Sequence, residues 1–278
     1  MRYLVFGKGF LGTLFGERVK GEIVYANANL VDYLDVVNEI KKISPDIVVN
    51  FAGKTGGTNT DWCDLHKFET ISSNLVGVFN LAQACFQENT YLIHIDSGSV
   101  YDGDNNGKGF SEDDLPNFTG NFYSLTKAWS QQILKERFPQ FLVLRIKMAV
   151  DWKKNPRNLV DKLSTYSKII TGVPNSITIC DDLFNAIEFL GEKRLSGEFN
   201  VVNKNPITWE EFIAAYIELV DPNFSCTFIS PEELSNITLV KRSYSVLTTD
   251  KLELTGFKVR EVHEALRDTL KKYAATNK

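Results

Sequence analysis

The sequence predicts an α/β fold: a doubly wound parallel sheet covered by helices in residues 1–150, then a small C-terminal α+β lobe in residues 151–278, interleaved with the first unit rather than independent of it. Three observations predict it. Short continuous apolar runs alternate with amphipathic stretches through the first half, and a glycine-rich turn follows the first run at once. After about residue 150 the alternation fades into polar loops and shorter helices. A strand buried on both faces reads as an unbroken apolar run, as a parallel sheet between two layers of helices requires.

Taken in order, strands are expected at 3–6, 23–25, 47–50, 91–95 and 141–146, with helices over 11–19, 34–43, 68–85 and 121–136. In the second part, apolar residues recur at helical spacing over 209–219 and 262–273. The lobe is expected to close over the carboxyl ends of the strands, where open α/β sheets bind their ligands.

The bulk properties narrow the function. A chain of 278 residues can bury a large core without disulfides or metal. A net charge of -4 and a pI near 5.6 supply no basic field for a nucleic-acid backbone, so no nucleic-acid partner is expected. A small diphosphate is still compatible, because local amides and a few cations can hold one. Cys63, Cys85, Cys180 and Cys226 are far apart and form no CxxC pair, which argues against zinc or a redox motif and for reduced thiols in a cytoplasmic protein. The first apolar run is cut short by Gly7 and Lys8, unlike a signal peptide. No segment approaches the roughly 18 apolar residues of a membrane span, so no membrane association is expected.

Gly7-Lys8-Gly9-Phe10-Leu11-Gly12 is a GxGxxG between an expected strand and an expected helix, the context that makes the pattern a dinucleotide fingerprint of the Rossmann type. Gly7 permits the tight turn, Gly9 lets a diphosphate approach the backbone, and Gly12 allows close packing of helix on strand. An NAD-selective site carries an acidic residue at the end of the second strand. Here Tyr25-Ala26-Asn27-Ala28-Asn29 is uncharged, with Asn27 and Asp32 the candidates for the adenosine side. Nothing there repels a 2'-phosphate and Lys8 is at hand to hold one, so NADPH is favoured, with NAD left open. Ala52 and Gly53, after the third strand, offer small residues beside the nicotinamide half.

Tyr123 and Lys127 stand four apart at the start of an expected helix, hence on one face. A phenol with a pKa near 10 is a poor acid or base at neutral pH, and a neighbouring ammonium favours its ionised form. Tyr and Lys at this spacing usually just decorate a helix surface. Ser97, however, ends the strand upstream, where its hydroxyl can meet a substrate carbonyl. Together with the glycine loop, in this order, Ser97, Tyr123 and Lys127 form a candidate catalytic set.

At this point the chain resembles the extended short-chain dehydrogenase/reductases, and more closely the dTDP-4-dehydrorhamnose reductases and the UDP-4-keto-6-deoxyglucose 3,5-epimerase/4-reductases. Shared stretches are Thr58 to Cys63, Pro116 to Ser124, Asn155 to Asn158 and Pro174 to Thr178. The resemblance implies hydride transfer from NAD(P)H to C4 of a nucleotide-diphosphate 4-keto-6-deoxy sugar. Tyr123 would protonate the alkoxide, Lys127 would lower its pKa and hold the nicotinamide ribose, and Ser97 would bind the keto oxygen. It also implies Thr55, Asn121, Asn158 and Arg242 as substrate contacts, Arg242 with its fork on the diphosphate. A surface salt bridge is the competing reading of Arg242, and Arg157 carries the same ambiguity. A homodimer through helices of the first unit follows from the family alone.

One departure bears on mechanism. The bifunctional relatives carry a Cys two residues after the catalytic Ser or Thr, thought to protonate carbon during epimerisation, where this chain has Ser99. A thiol with a pKa near 8.5 can act as acid and base near neutrality, whereas an alcohol ionises far too weakly. Lys162 stands where those enzymes place the second acid/base residue. The expectation is therefore a 4-ketoreductase that follows a separate epimerase or needs none, rather than a bifunctional enzyme. A cofactor-binding regulatory subunit would have lost the catalytic triplet, which this chain keeps. A 4,6-dehydratase would carry an Asp-Glu pair at Gly98-Ser99. His94 reads as a packed core residue, His66 and His263 as surface residues, and Trp62 and Trp152 as core or rim packing as readily as sugar-stacking rings.

Overall fold

The computed structural model describes residues 1–56 and 59–276; Thr58, quoted among the shared stretches, lies outside the described residues. In chain order the strands are β1 (Arg2–Phe6), β2 (Glu22–Tyr25), β3 (Ile47–Asn50), β4 (Tyr91–Ser97), β5 (Leu142–Ile146), β6 (Ala149–Val150), β7 (Lys168–Ile170), β8 (Thr178–Ile179), β9 (Gly197–Asn200) and β10 (Thr227–Ile229). The helices are α1 (Phe10–Arg18), α2 (Tyr33–Ile43), α3 (Asp61–Leu65), α4 (Lys67–Ile71), α5 (Gly77–Gln87), α6 (Phe122–Arg137), α7 (Leu159–Leu163), α8 (Cys180–Glu192), α9 (Trp209–Leu219), α10 (Pro231–Ser235), α11 (Asp250–Leu254) and α12 (Val262–Thr276).

One parallel sheet runs β2-β1-β3-β4-β5-β9. Its first five members are the expected apolar strands, and β3 is buried along its whole length, as a strand between two helix layers must be. Aliphatic cores fill both faces: Val5, Val49 and Ile93 point to one, Leu4, Val48 and Leu92 to the other. The registers Asn50↔His94 and Asp96↔Arg145 line up polar residues toward the carboxyl ends of the strands. The site therefore forms at that edge.

One feature differs from the expectation. The helix foreseen over 68–85 is α4, a π-helical turn Ser72–Val76 and α5. The widened turn coincides with the inward amide of Asn74, which receives the Lys54 N–H at 2.7 Å and donates to the Lys54 carbonyl at 2.9 Å. Residues beyond 150 also contribute to the first sheet. β9 completes the first sheet, and Leu183, Phe184, Ile187 and Leu190 of α8 pack into its core. The lobe has a separate core built from α7, β7, β8, α9 and α12, including Val160, Ile170, Ile179, Phe212 and Leu266.

A strap over residues 243–248 returns from the lobe across the loop after β4. Its backbone bonds run Gly103 N–H to Tyr244 O at 2.6 Å, Val246 N–H to Gly103 O at 3.1 Å and Phe110 N–H to Val246 O at 2.8 Å. Among the described residues no helix is long and apolar enough to cross a membrane, and no group of His, Cys, Asp and Glu is arranged to hold a metal ion.

Candidate active site

The glycine loop joins β1 to α1. Gly7 has φ of 91°, and a Cβ on it would lie 2.5 Å from the Ala52 nitrogen; a Cβ on Gly12 would lie 2.0 Å from the Gly7 oxygen. Both positions admit only glycine. At Gly9 a Cβ would meet nothing within 4 Å, so the backbone in front of the α1 N-terminus faces open space. That is the shape a diphosphate needs, with helix N–H groups aimed at it. Phe10 and Leu11 are partly buried against the sheet core. A cleft of about 490 Å³ continues from here, lined by Lys8, Gly9, Phe10, Lys153, Lys154 and Arg157 among others. Lys8 lies over the Tyr25 ring at 4.8 Å. Asp32 caps α2 through the Asp35 N–H at 3.1 Å. Asn27 gives its N–H to Glu39 at 3.1 Å.

Ser97, Tyr123 and Lys127 converge where β4 ends and α6 begins. Asn121 caps α6 through the Ser124 N–H at 2.8 Å and so sets the entry of the helix that carries Tyr123. All three side chains are buried or nearly so. The Ser97 hydroxyl accepts the Ser99 N–H at 3.1 Å. Burial pushes the Tyr123 phenol above its ordinary pKa; the charge of Lys127 and the Ser97 hydroxyl pull the other way without overcoming it. The expected lowering by Lys127 is thus present but outweighed by desolvation. The phenol keeps its proton at neutral pH.

Sequence reasoning missed what holds Lys127. Asp96 contacts its ammonium at 2.8 Å with both side chains buried. Burial works against that ammonium, but the Asp96 carboxylate and the Tyr123 phenol hold its pKa above the ordinary lysine range. Burial also pushes the Asp96 carboxyl up, yet Lys127 and His94 hold it far below the usual carboxylate range. His94 is the core residue expected, bonded to Asn50 at 3.0 Å with burial keeping it neutral. Asn74 ties the loop after β3, with Ala52 and Gly53, to Thr126 of α6 at 3.4 Å.

The expected substrate contacts fall into different places. Asn158 is corrected: it is fully buried, accepts the Asp151 and Val160 N–H groups and donates to Asp151 O and Lys153 O, so its amide has no capacity left for a ligand. Asn121, besides capping α6, donates to the Lys241 carbonyl at 2.9 Å. Thr55 is exposed and accepts from Arg157 at 2.8 Å. Arg242 grips Asp61 through both nitrogens, at 2.8 and 3.1 Å, and reaches Thr60. Lys162 is half-buried, and burial together with Arg157 lowers its pKa. Trp62 stacks on His66, Trp152 lies under Arg18 at 4.4 Å, and His263 pairs with Glu261 at the surface.

A further lysine was not anticipated. Lys147, just past β5, is 2% exposed, and its ammonium touches Ser99 and Ser243.

The chain has known relatives. The RmlD substrate binding domain family matches residues 1–275. The chain belongs to that family. It is 33% identical over 274 residues to the bifunctional dTDP-4-dehydrorhamnose 3,5-epimerase/dTDP-4-dehydrorhamnose reductase of Arabidopsis thaliana, covering 95% of this chain and 90% of that one. The crystal structure of the UDP-rhamnose synthase of Acanthamoeba polyphaga mimivirus superposes with a TM-score of 0.93 at 30% identity, over 97% of this chain and 98% of that one. The dTDP-4-dehydrorhamnose reductase of Bacillus anthracis, solved in complex with NADP, shares the fold at TM-score 0.83 and 23% identity, over 96% and 98% of the two chains. Like its family, the chain is an enzyme of the short-chain dehydrogenase/reductase type.

Proposed function

We propose that this enzyme reduces the 4-keto group of a UDP- or dTDP-linked 4-keto-6-deoxy sugar with NAD(P)H. The observation that carries the reading is the convergence of Ser97, Tyr123 and the Asp96-anchored Lys127 beside the open glycine loop. A reduced nicotinamide bound at that loop supplies a hydride. The protein's own part is to hold the keto oxygen and deliver a proton. Ser97, whose oxygen accepts the Ser99 N–H and whose hydroxyl also faces the Tyr123 phenol, can turn its hydrogen to the keto oxygen when the sugar is bound. The Tyr123 phenol, kept protonated by burial, gives its proton to the oxygen as it becomes an alkoxide. Lys127, fixed as a cation by Asp96, stabilises the phenolate left behind.

NADPH is the favoured cofactor. Lys8, Lys153, Lys154 and Arg157 line the cleft beside the loop, and the Bacillus anthracis relative was solved with NADP. Support for a homodimer comes from apolar side chains exposed on helices that pack together: Phe68 on α4, Phe79 and Phe86 on α5 and Trp129 on α6. Four unpaired cysteines fit a cytoplasmic setting. Residues 150–179 and 207–273 form the sugar-binding lobe in this reading.

The test is NADPH and NADH oxidation with UDP- and dTDP-4-keto-6-deoxyglucose, each with and without a separate 3,5-epimerase, with products identified by NMR. Oxidation with one of these sugars and a higher kcat/KM for NADPH is expected. No oxidation under any of these conditions overturns the reading.

A further inference from the structure

Lys147 is a buried lysine with no carboxylate in contact among the described residues. Its nitrogen lies 2.7 Å from Ser243 Oγ, 3.1 Å from Ser243 O and 3.4 Å from Ser99 Oγ, all uncharged oxygens. Among the described residues, the charge that raises it is that of Asp102, and burial nonetheless brings the ammonium down to about 7. The neighbouring cations are spoken for: Arg145 on β5 by Glu198 and Gln131, Arg242 next to Ser243 by Asp61. Hydrogen-bond direction then decides what a neutral Lys147 can do. Ser243 spends its hydroxyl hydrogen on the Tyr101 carbonyl at 2.6 Å, and its own carbonyl has none to give. Among the described residues, the lone pair of the amine can therefore take a hydrogen only from Ser99. Ser99 is partly exposed and touches Ser97 through its N–H, so it links the buried amine to the place where the keto oxygen sits.

We propose that Ser99 and Lys147 form a proton-transfer pair acting on the carbon beside the keto group of the bound sugar. This rests on the reading of the sugar site given above. As the C–H bond breaks, the Ser99 oxygen takes its proton while the Ser99 hydroxyl proton passes to the Lys147 amine. The electron pair of that bond forms the new carbon–carbon π bond, and the carbonyl electrons move onto the keto oxygen, held by Ser97 and Tyr123. Return reverses each transfer, so no oxidant or reductant is consumed. A serine alcohol alone is too weak for this, but with an amine poised near neutrality behind it the pair is both acid and base near pH 7. The proton-exchange capacity expected to be lost with the missing thiol is thereby retained in another form. Exchange on one face needs only this pair; inversion needs a second group on the other face.

The test is uptake of deuterium from heavy water into UDP- or dTDP-4-keto-6-deoxyglucose, followed by NMR with no reduced nicotinamide present. The wild-type protein should exchange at the carbon beside the ketone, with a rate that rises through about pH 7 and then levels. Lys147→Arg keeps donors for Ser243 but cannot give up its proton, and Lys147→Met has none; each should lower exchange at least about a hundredfold. Ser99→Ala should do the same, and Ser99→Cys placed in the Lys147→Met background should restore exchange, which also shows that the variant is folded. Undiminished exchange in both Lys147 variants overturns the pair and leaves Lys147 as a pin for the strap. Hydride transfer to the sugar with no exchange in the wild-type protein overturns the pair while leaving the reductase standing. Neither exchange nor oxidation overturns both.

Discussion

Lys127 on α6 and Lys147 just past β5 are both buried and differ in one neighbour. Lys127 meets the Asp96 carboxylate at 2.8 Å, and its pKa is held above the ordinary range despite burial. Among the described residues Lys147 meets only hydroxyl and carbonyl oxygens, and burial brings it to about 7. The same side chain is thus a permanent cation in one place and a proton carrier in the other. What decides is whether a counter-charge offsets the cost of taking the ammonium out of water. The difference suits the two tasks: stabilising a phenolate needs a charge that stays, whereas moving a proton needs one that comes and goes.

The largest expected effect removes the difference from one side. Asp96→Asn leaves the Lys127 ammonium without its partner in a buried position, at a cost of about 3–5 kcal/mol in a denaturant titration. Lys127 then behaves as Lys147 does, losing its proton near neutrality, and hydride transfer at pH 7 should fall at least about a hundredfold. Unchanged stability would mean that the ion pair is not what holds Lys127. The reverse change supplies Lys147 with a carboxylate. Ser243→Asp should raise the Lys147 pKa, so that deuterium exchange falls about tenfold or more at pH 7 and its rise moves to higher pH. A pH profile left in place would remove Ser243 from the account of this lysine.

A smaller effect reads the same contrast in stability. The folded-state pKa of Lys147 lies below the value of about 10.4 in an unfolded chain. Between about 7 and 10 the unfolded state therefore binds more protons, so this group makes stability rise with pH there, by about 1.4 kcal/mol per pH unit. Below about 7 both states carry the charge and the group adds no slope. Asp96 leans the same way in a lower window: its depressed carboxyl stabilises the fold above the ordinary carboxylate range, a contribution lost as pH falls toward strong acid. Thermal melting of wild type and Lys147→Met across pH 6 to 10 checks the first window, and parallel curves would show that Lys147 is not depressed.

How much of this is legible in the sequence follows from how each residue is satisfied. Gly7, Gly9 and Gly12 and the set Ser97, Tyr123, Lys127 stand in short patterns whose chemistry admits few other uses, and the apolar runs of β1 to β5 announce themselves. β9 does not, because Gly197-Glu198-Phe199-Asn200 is half polar; Glu198 is buried against Arg145, on β5, at 2.8 Å and Lys135 at 3.6 Å. Asn158 sits in a shared stretch yet closes its own loop, which spacing cannot tell from a ligand contact. The π turn at Asn74 is hidden by a continuous helical period. Lys147 is one lysine at the end of an apolar strand, and its environment is set by Ser99 and Ser243, which are 48 and 96 residues away in the chain.

Arg242 extends the comparison to a third cation, paired like Lys127 but only partly buried. Its side chain and that of Asp61 are 20% and 21% exposed. Burial raises the Asp61 carboxyl, and the Arg242 fork outweighs it and holds the carboxyl below its ordinary range. With water this close, the pair contributes about 1 kcal/mol or less to stability. Arg242→Lys should therefore barely move the melting temperature. A lysine cannot reproduce the bidentate fork, however, so if Asp61 releases that fork to a diphosphate, KM for the nucleotide sugar should rise about tenfold with kcat little changed. Asp61→Asn sharpens the reading, since it frees the fork without removing it and should leave KM equal or lower. An unaltered KM in Arg242→Lys together with a clear loss of stability would make Arg242 a clamp between the α3 segment and the strap, and would move the search for the diphosphate partner to Arg157.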